Sequence, residues 1–221
     1  MTTNIRLLPI ETPPPTPGYI PFRYARYWRS DVELAETRLP GVTVFLTQKA
    51  YVRANVHAQS DLENEVGGWL IGVRRADQLT GEEYIVIERC LPAPFTRQGS
   101  AYLTFTQDSQ VALFDMMEEK YTEKHLLGWY HTHPKMGVFL SSYDLFLHNH
   151  FFPQPWQVAL VIEPHSNQAG FFIRDQDEDL ASRHYFGFHE LAGGNVKSVV
   201  RWSNMEEDQA ESTAQLESEH E

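Results

Sequence analysis

Residues 128–151 read GWYHTHPKMGVFLSSYDLFLHNHF and hold four of the chain's ten histidines. His131 and His133 stand two apart; on a strand they point to the same face, so both imidazoles can reach one ion. Asp144, in the first turn of the helix expected next, can supply a third ligand across the intervening loop. Two imidazoles and a carboxylate leave a tetrahedral zinc with one open position, the arrangement of a hydrolytic rather than a structural site. Water on such an ion has its pKa lowered to about 7. Hydrolysis further needs a base for the water's proton and a donor for the developing oxyanion. Ser141 lies in the right loop to be the donor, and the base must come from elsewhere. The plainer alternative stays open at this point: two histidines so spaced arise by chance, and Asp144 could serve only as a helix cap.

Several elements must position these groups. HLLGWYHTH reads as a buried strand that ends in the two histidines. SSYDLFLHNHFF opens like a capped helix, with Ser141 at the cap and Asp144 three residues later. Upstream, VTVFLT is a strand, and QKAYVRANVHAQS is a helix whose apolar spacing runs through Ala50, Val52 and Val56. GGWLIGVRR and EYIVIERCLPA flank ADQLTGE as a hairpin, and AYLTFT is a further strand. TQDSQVALFDMMEEKYTEK is a helix capped by Thr106 or Asp108, with Val111, Leu113, Phe114, Met117 and Tyr121 on its apolar face. PWQVALVIEP and QAGFFIRDQ form a second hairpin, and YFGFHEL adds a strand. The expected fold class is α+β: a mixed β-sheet flanked by helices.

Composition excludes several functions. The 221 residues are 42% apolar, enough for one sizeable core, and carry a formal net charge of −12. That balance offers no Lys/Arg surface for nucleic acid. A single cysteine, Cys90, leaves no internal disulfide and no Cys-rich zinc knuckle, and points to a reducing compartment. MTTNIRLLPIETPPP does not read as a signal peptide, and no run approaches the ~20 apolar residues of a membrane span. A soluble, cytoplasmic protein with no membrane partner is expected. Residues 1–40 read as a Pro-rich aromatic extension lying on the domain surface, 41–203 as the catalytic domain, and 204–221 as an acidic disordered tail.

HTHP followed by SSYD resembles the HxHP…SxxD signature of the JAMM (MPN+) zinc metalloproteases, also called the JAB domain family. These cleave bonds at the C-terminus of ubiquitin-like proteins. The family's upstream ExxGxLxG pattern is matched by EVGGWLIG, beginning at Glu65. The resemblance covers roughly residues 42–175. It implies the cytidine-deaminase-like MPN/JAMM fold, with His131, His133 and Asp144 holding one catalytic Zn2+. It implies that Glu65 deprotonates the water and passes the proton to the leaving amine, while Ser141 hydrogen-bonds the carbonyl oxygen. It implies, finally, a ubiquitin-like (β-grasp) protein or its conjugates as partner. The compact length looks like the prokaryotic single-domain members. A non-catalytic interaction scaffold that keeps its zinc site, or a zinc amidase acting on a small molecule, are the alternatives.

Glu63 is an alternative base that misses the ExxG register. His148 shares a helix face with Asp144 and could touch the ligands' outer partners, against a packed or capping role for it and for His150. Cys90 and Trp129 read as core, and Gly67 and Gly68 as close backbone approaches beside the site. Residues 92–104 and 134–140 are the candidate edges for a substrate tail bound as an added strand.

Overall fold

A computed structural model describes residues 13–32, 38–94, 96–99, 102–192 and 197–208. The chain forms β1 (Thr16–Gly18), β2 (Ala25–Ser30), β3 (Thr43–Thr47), α1 (Gln48–Ala58), β4 (Gly67–Asp77) and β5 (Glu83–Pro92). There follow β6 (Thr96–Gly99), β7 (Tyr102–Phe105), α2 (Gln107–Lys120), β8 (His125–Thr132) and α3 (Ser142–Phe151). β9 (Val158–Glu163), β10 (Gln168–Phe172), β11 (Phe188–Leu191) and β12 (Met205–Glu207) complete it. The main sheet runs β10-β9-β8-β4-β5-β3-β11-β2-β12, with β1 beside the end of β4, and β6 and β7 pair separately. β3 is parallel to β5 and β11, and β8 to β9, while β4 is antiparallel to both β5 and β8. This is the mixed α+β sheet expected from the sequence.

Both faces of the central strands are covered. On one, Trp69 and Trp129 are cross-strand partners, and Phe105 packs on both at 5.9 Å. On the other, the Tyr130 hydroxyl lies 2.9 Å from Nδ1 of His57 on α1. Side chains alternate along β8, so Trp129 and His131 share a face and Tyr130 takes the opposite one. The close approach expected at Gly67 has a steric basis: it pairs with His131, and a Cβ there would stand 2.4 Å from the Tyr130 carbonyl oxygen.

Three expectations need correction. Within the N-terminal segment, residues 25–30 are not a surface extension: β2 lies between β11 and β12, and Trp28 donates to the buried Glu190 at 3.1 Å, while 1–12 and 33–37 lie outside the described residues. Likewise Met205–Glu207, placed by the sequence in the acidic tail, form β12; the rest of that tail, 209–221, lies outside the described residues. The helix faces also differ. On α1 the buried stripe is Ala50, Ala54 and Ala58 with Tyr51, while Val52 and Val56 are exposed. Alanines at i, i+4 and i+8 let the helix backbone approach the sheet closely, and that steric fit outweighs the larger apolar area of the valines. On α2, Leu113 is buried and Met117 packs on the core, but Val111 and Phe114 face outward. Thr106 is the cap of that helix, accepting from the Ser109 amide. Residues 96–99, within the 92–104 stretch named as a candidate edge, pair with β7 as β6.

Candidate metal centre

Three separate local structures converge at the C-terminal end of β8. The strand itself carries His131, and the His133 amide continues the ladder by donating to the Ile162 carbonyl at 2.9 Å. The second group comes from the start of α3, where a capping box closes. The Ser141 amide donates to Asp144 Oδ2 at 2.7 Å, and the Asp144 amide donates to Ser141 Oγ at 3.1 Å. Third, the chain between α1 and β4 carries Glu65, and a double bond to β8 holds it. The Thr132 amide donates to the Val66 carbonyl at 2.8 Å, and the Val66 amide donates to Thr132 Oγ1 at 2.9 Å.

His131, His133 and Asp144 form the one cluster among the described residues whose ligand atoms could share a metal ion. The two Nε2 atoms lie 2.9 Å apart, Asp144 Oδ1 is 3.4 Å from Nε2 of His131, and Oδ2 is 3.5 Å from Nε2 of His133. Donor atoms about 2.05 Å from a tetrahedral zinc stand about 3.3 Å from one another. The observed spacings bracket that value. The donor set fits chemically too: with the protons on Nδ1, both converging Nε2 lone pairs and the Asp144 carboxylate are available to one cation, whereas without an ion the two Nε2 atoms are close enough to share a hydrogen bond.

Asp144 therefore does both things that the sequence left open: it caps α3 and faces the histidines. All three residues are buried, with Asp144 the most exposed at 4%. Burial holds His131 neutral, a tendency that the Asp144 carboxylate opposes but does not overcome. Burial also works against ionisation of Asp144. His131, His133 and the hydrogen bond with Ser141 outweigh it, and the carboxyl stays below the usual carboxylate range. Glu65 is buried as well, with Oε1 3.9 Å from Nε2 of His133. Desolvation, then the charge on Asp144, push its pKa up to about 8. Ser141 is half-buried. Its oxygen accepts from the Asp144 amide at 3.1 Å, and its hydroxyl side chain also hydrogen-bonds the Asp144 carboxylate.

Glu63 is not brought to the site: its side chain is 75% exposed and pairs with Lys135 Nζ at 2.9 Å. His148 is packed, as the plainer reading had it. It accepts from Trp129 Nε1 at 3.1 Å, and its pKa is lowered to about 3 by burial and then by Arg174. His150 lies against the Phe146 carbonyl at the exposed end of α3. Cys90 is buried core whose thiol burial pushes well up. Two contacts escaped the sequence reading. Trp129 stacks on His131 at 4.3 Å and 7°, a partnership that their i, i+2 spacing could have revealed. Phe139 packs against His133 at 4.7 Å across the loop, and no local signal marks it.

Residues 40–152 match the family model described as JAB1/Mov34/MPN/PAD-1 ubiquitin protease. The chain is similar to the 26S proteasome non-ATPase regulatory subunit 14 of Dictyostelium discoideum, 25% identical over 134 residues, which are 60% of this chain and 42% of that one. It is also similar to COP9 signalosome complex subunit 5 of Caenorhabditis elegans, 30% identical over 123 residues, 52% of this chain and 30% of that one. The match thus spans less than half the length of these relatives. Among solved structures, a solution structure of a Desulfitobacterium hafniense protein superposes with a TM-score of 0.49 at 24% identity, covering 63% of this chain and 90% of that one.

Proposed function

This chain belongs to the JAB1/Mov34/MPN/PAD-1 ubiquitin protease family, and on that premise we propose that it is a zinc-dependent peptidase or isopeptidase acting on the C-terminal tail of a ubiquitin-like protein or its conjugates. The observation that carries the reading is the convergence of three donor residues within 3.5 Å of one another, with a fourth, unliganded carboxylate 3.9 Å from one of them. His131, His133 and Asp144 hold the ion. A bound zinc supplies Lewis acidity, acidifying water and polarising the scissile carbonyl.

Glu65 takes the proton of the attacking water and returns it to the leaving amine. Its raised pKa suits a group that must both hold and release a proton, and a cation nearby draws it back toward the ionised form. Ser141 donates its hydroxyl proton to the carbonyl oxygen as that oxygen becomes tetrahedral, pre-aimed because the capping box fixes its lone pair. The burial of all four charged or ligating groups favours a substrate segment that is extended and narrow, which a flexible tail of small residues is and a folded surface is not.

The same depth favours one competing reading, a scaffold whose zinc site is occluded. The zinc-loaded protein would be incubated with ubiquitin-like proteins carrying C-terminal extensions, and the mass of each tail followed. Cleavage lost with chelator and in Glu65→Gln supports the hydrolase. Stoichiometric zinc with every tail intact supports the scaffold. Deleting residues 1–40 is no test of occlusion, because it would strip β2 from the sheet.

A further inference from the structure

We infer that the turn after β9, residues 163–166, clamps together the two loops of the site, with Glu163 as the positioning residue. Glu163 is 3% exposed and has no basic side chain paired with it among the described residues. Its oxygens instead accept from backbone and hydroxyl. Oε1 takes the amides of Lys135 at 2.9 Å and His165 at 3.0 Å, while Oε2 takes the Ser166 amide at 2.6 Å and the Ser166 hydroxyl. The Lys135 bond reaches the loop two residues after His133, where the backbone turns left-handed at Lys135, φ 63°. A non-glycine residue leaves that conformation readily unless something holds it.

The same turn reaches the other loop. A carbonyl oxygen only accepts, so His165 Nε2–H donates to the Leu62 carbonyl at 2.9 Å, which fixes the imidazole tautomer. Gln59 Nε2 donates to the Pro164 carbonyl at 3.0 Å. From Leu62 the chain runs to Glu65 through a stiff turn, in which Asp61 Oδ1 accepts from the amides of Glu63 at 3.0 Å and Asn64 at 2.9 Å. The stretch carrying Glu65 and the stretch following His133 are therefore referenced to a single buried carboxylate that touches neither Glu65 nor the three donor residues. The clamp exists whether or not the site hydrolyses a tail; its effect on turnover rests on the hydrolase reading.

Amide hydrogen exchange of the full-length, zinc-loaded protein tests the clamp directly, in wild type, Glu163→Gln and His165→Ala. Glutamine offers one acceptor atom where the carboxylate offers two, so exchange should rise at least tenfold in both 61–66 and 134–137, with β4 and α1 unchanged and one zinc retained. His165→Ala cuts only the link to Leu62 and should loosen 61–66 while leaving 134–137 protected. Should Glu163→Gln fail to fold, the His165 variant alone decides. Faster exchange confined to 163–166, with both loops at wild-type rates, would overturn the clamp. On a cleaved tail, Glu163→Gln should lower kcat about tenfold with KM unchanged; a change in KM alone would also count against positioning. A wild-type protein that cleaves no tail sinks the hydrolase reading, and the exchange result still stands.

Discussion

His131 and His189 are both buried and both held neutral by desolvation, yet only one belongs to a chemical site. Around His131 stand a second imidazole, a carboxylate capped by a serine, and a further carboxylate within reach of the neighbouring histidine. Around His189 stand rings: Phe22 at 5.0 Å, Tyr27 at 4.8 Å and Phe45 stacked at 4.8 Å. The first cluster is polar groups whose nitrogen and oxygen atoms converge on one point where a cation could sit. The second is a satellite core in which the N-terminal segment closes over the sheet, with the imidazole as one more flat ring. Burial of a histidine therefore says little by itself; what its neighbours can do decides.

The largest expected difference between the two clusters is in metal. Asp144→Asn keeps an acceptor for the Ser141 amide but removes the charge that the ion requires. Its zinc affinity should fall by more than the roughly 10–100-fold that outer partners of a metal site carry, and His131→Ala should lose stoichiometric zinc altogether. His189→Phe should bind zinc as wild type does. Metal content after dialysis, with competition against a coloured chelator for affinity, reads all three. Equal zinc in wild type and His131→Ala would place the ion elsewhere.

Next come the groups that act without holding the ion. Glu65→Gln should retain zinc and lose turnover by about 10²–10⁴-fold, the usual worth of a general base. Ser141→Ala should lose about 10²–10³-fold for the missing oxyanion donor. It should also lose about 1 kcal/mol of stability for the missing helix cap. Threonine at 141 keeps the hydroxyl and should recover the cap. If alanine at 141 costs stability and no turnover, Ser141 is a cap only.

Much of the first cluster is legible in the chain because its geometry is local. Two residues on a strand set the His131–His133 pair and three residues at a helix start set the Ser141–Asp144 box, whereas Glu65, far away in the chain, is marked only by the family resemblance's ExxG register. The second cluster is not legible, because its contacts are not local. Trp28 sits opposite Phe188, and Ser30 opposite Met205, so β2 is a strand only once residues over 150 positions away arrive beside it. Before that it is an aromatic stretch in a proline-rich neighbourhood, with no turn to announce a hairpin. Val52 and Val56 mislead for a related reason, since apolar spacing does not tell which face of α1 the sheet will accept. Glu163 leaves no trace at all, because its role lies in backbone amides that any residue would supply.

The smallest effect concerns the cage around His189. Burial lowers its pKa to about 4, against 6.5 for the free side chain. Above 6.5 the imidazole is neutral whether the chain is folded or not, and it does nothing to pH dependence. Between 6.5 and 4 the unfolded chain takes up a proton that the folded chain refuses, so stability falls as pH falls through that window. The loss reaches about 3 kcal/mol at its acid limit. His57 and His148 also have lowered values and add to the same limb, so the telling quantity is the difference between proteins. His189→Phe fills the cage with a ring that never titrates. Urea unfolding at pH 7 and pH 4.5 should show a smaller loss for the variant than for wild type. Equal losses would mean that His189 takes its proton inside the folded protein, with Tyr27, Phe22 and Phe45 offering their π-faces to the imidazolium. The cage would then be a cation site in waiting, and the contrast with His131 would be one of ligand type rather than of polarity.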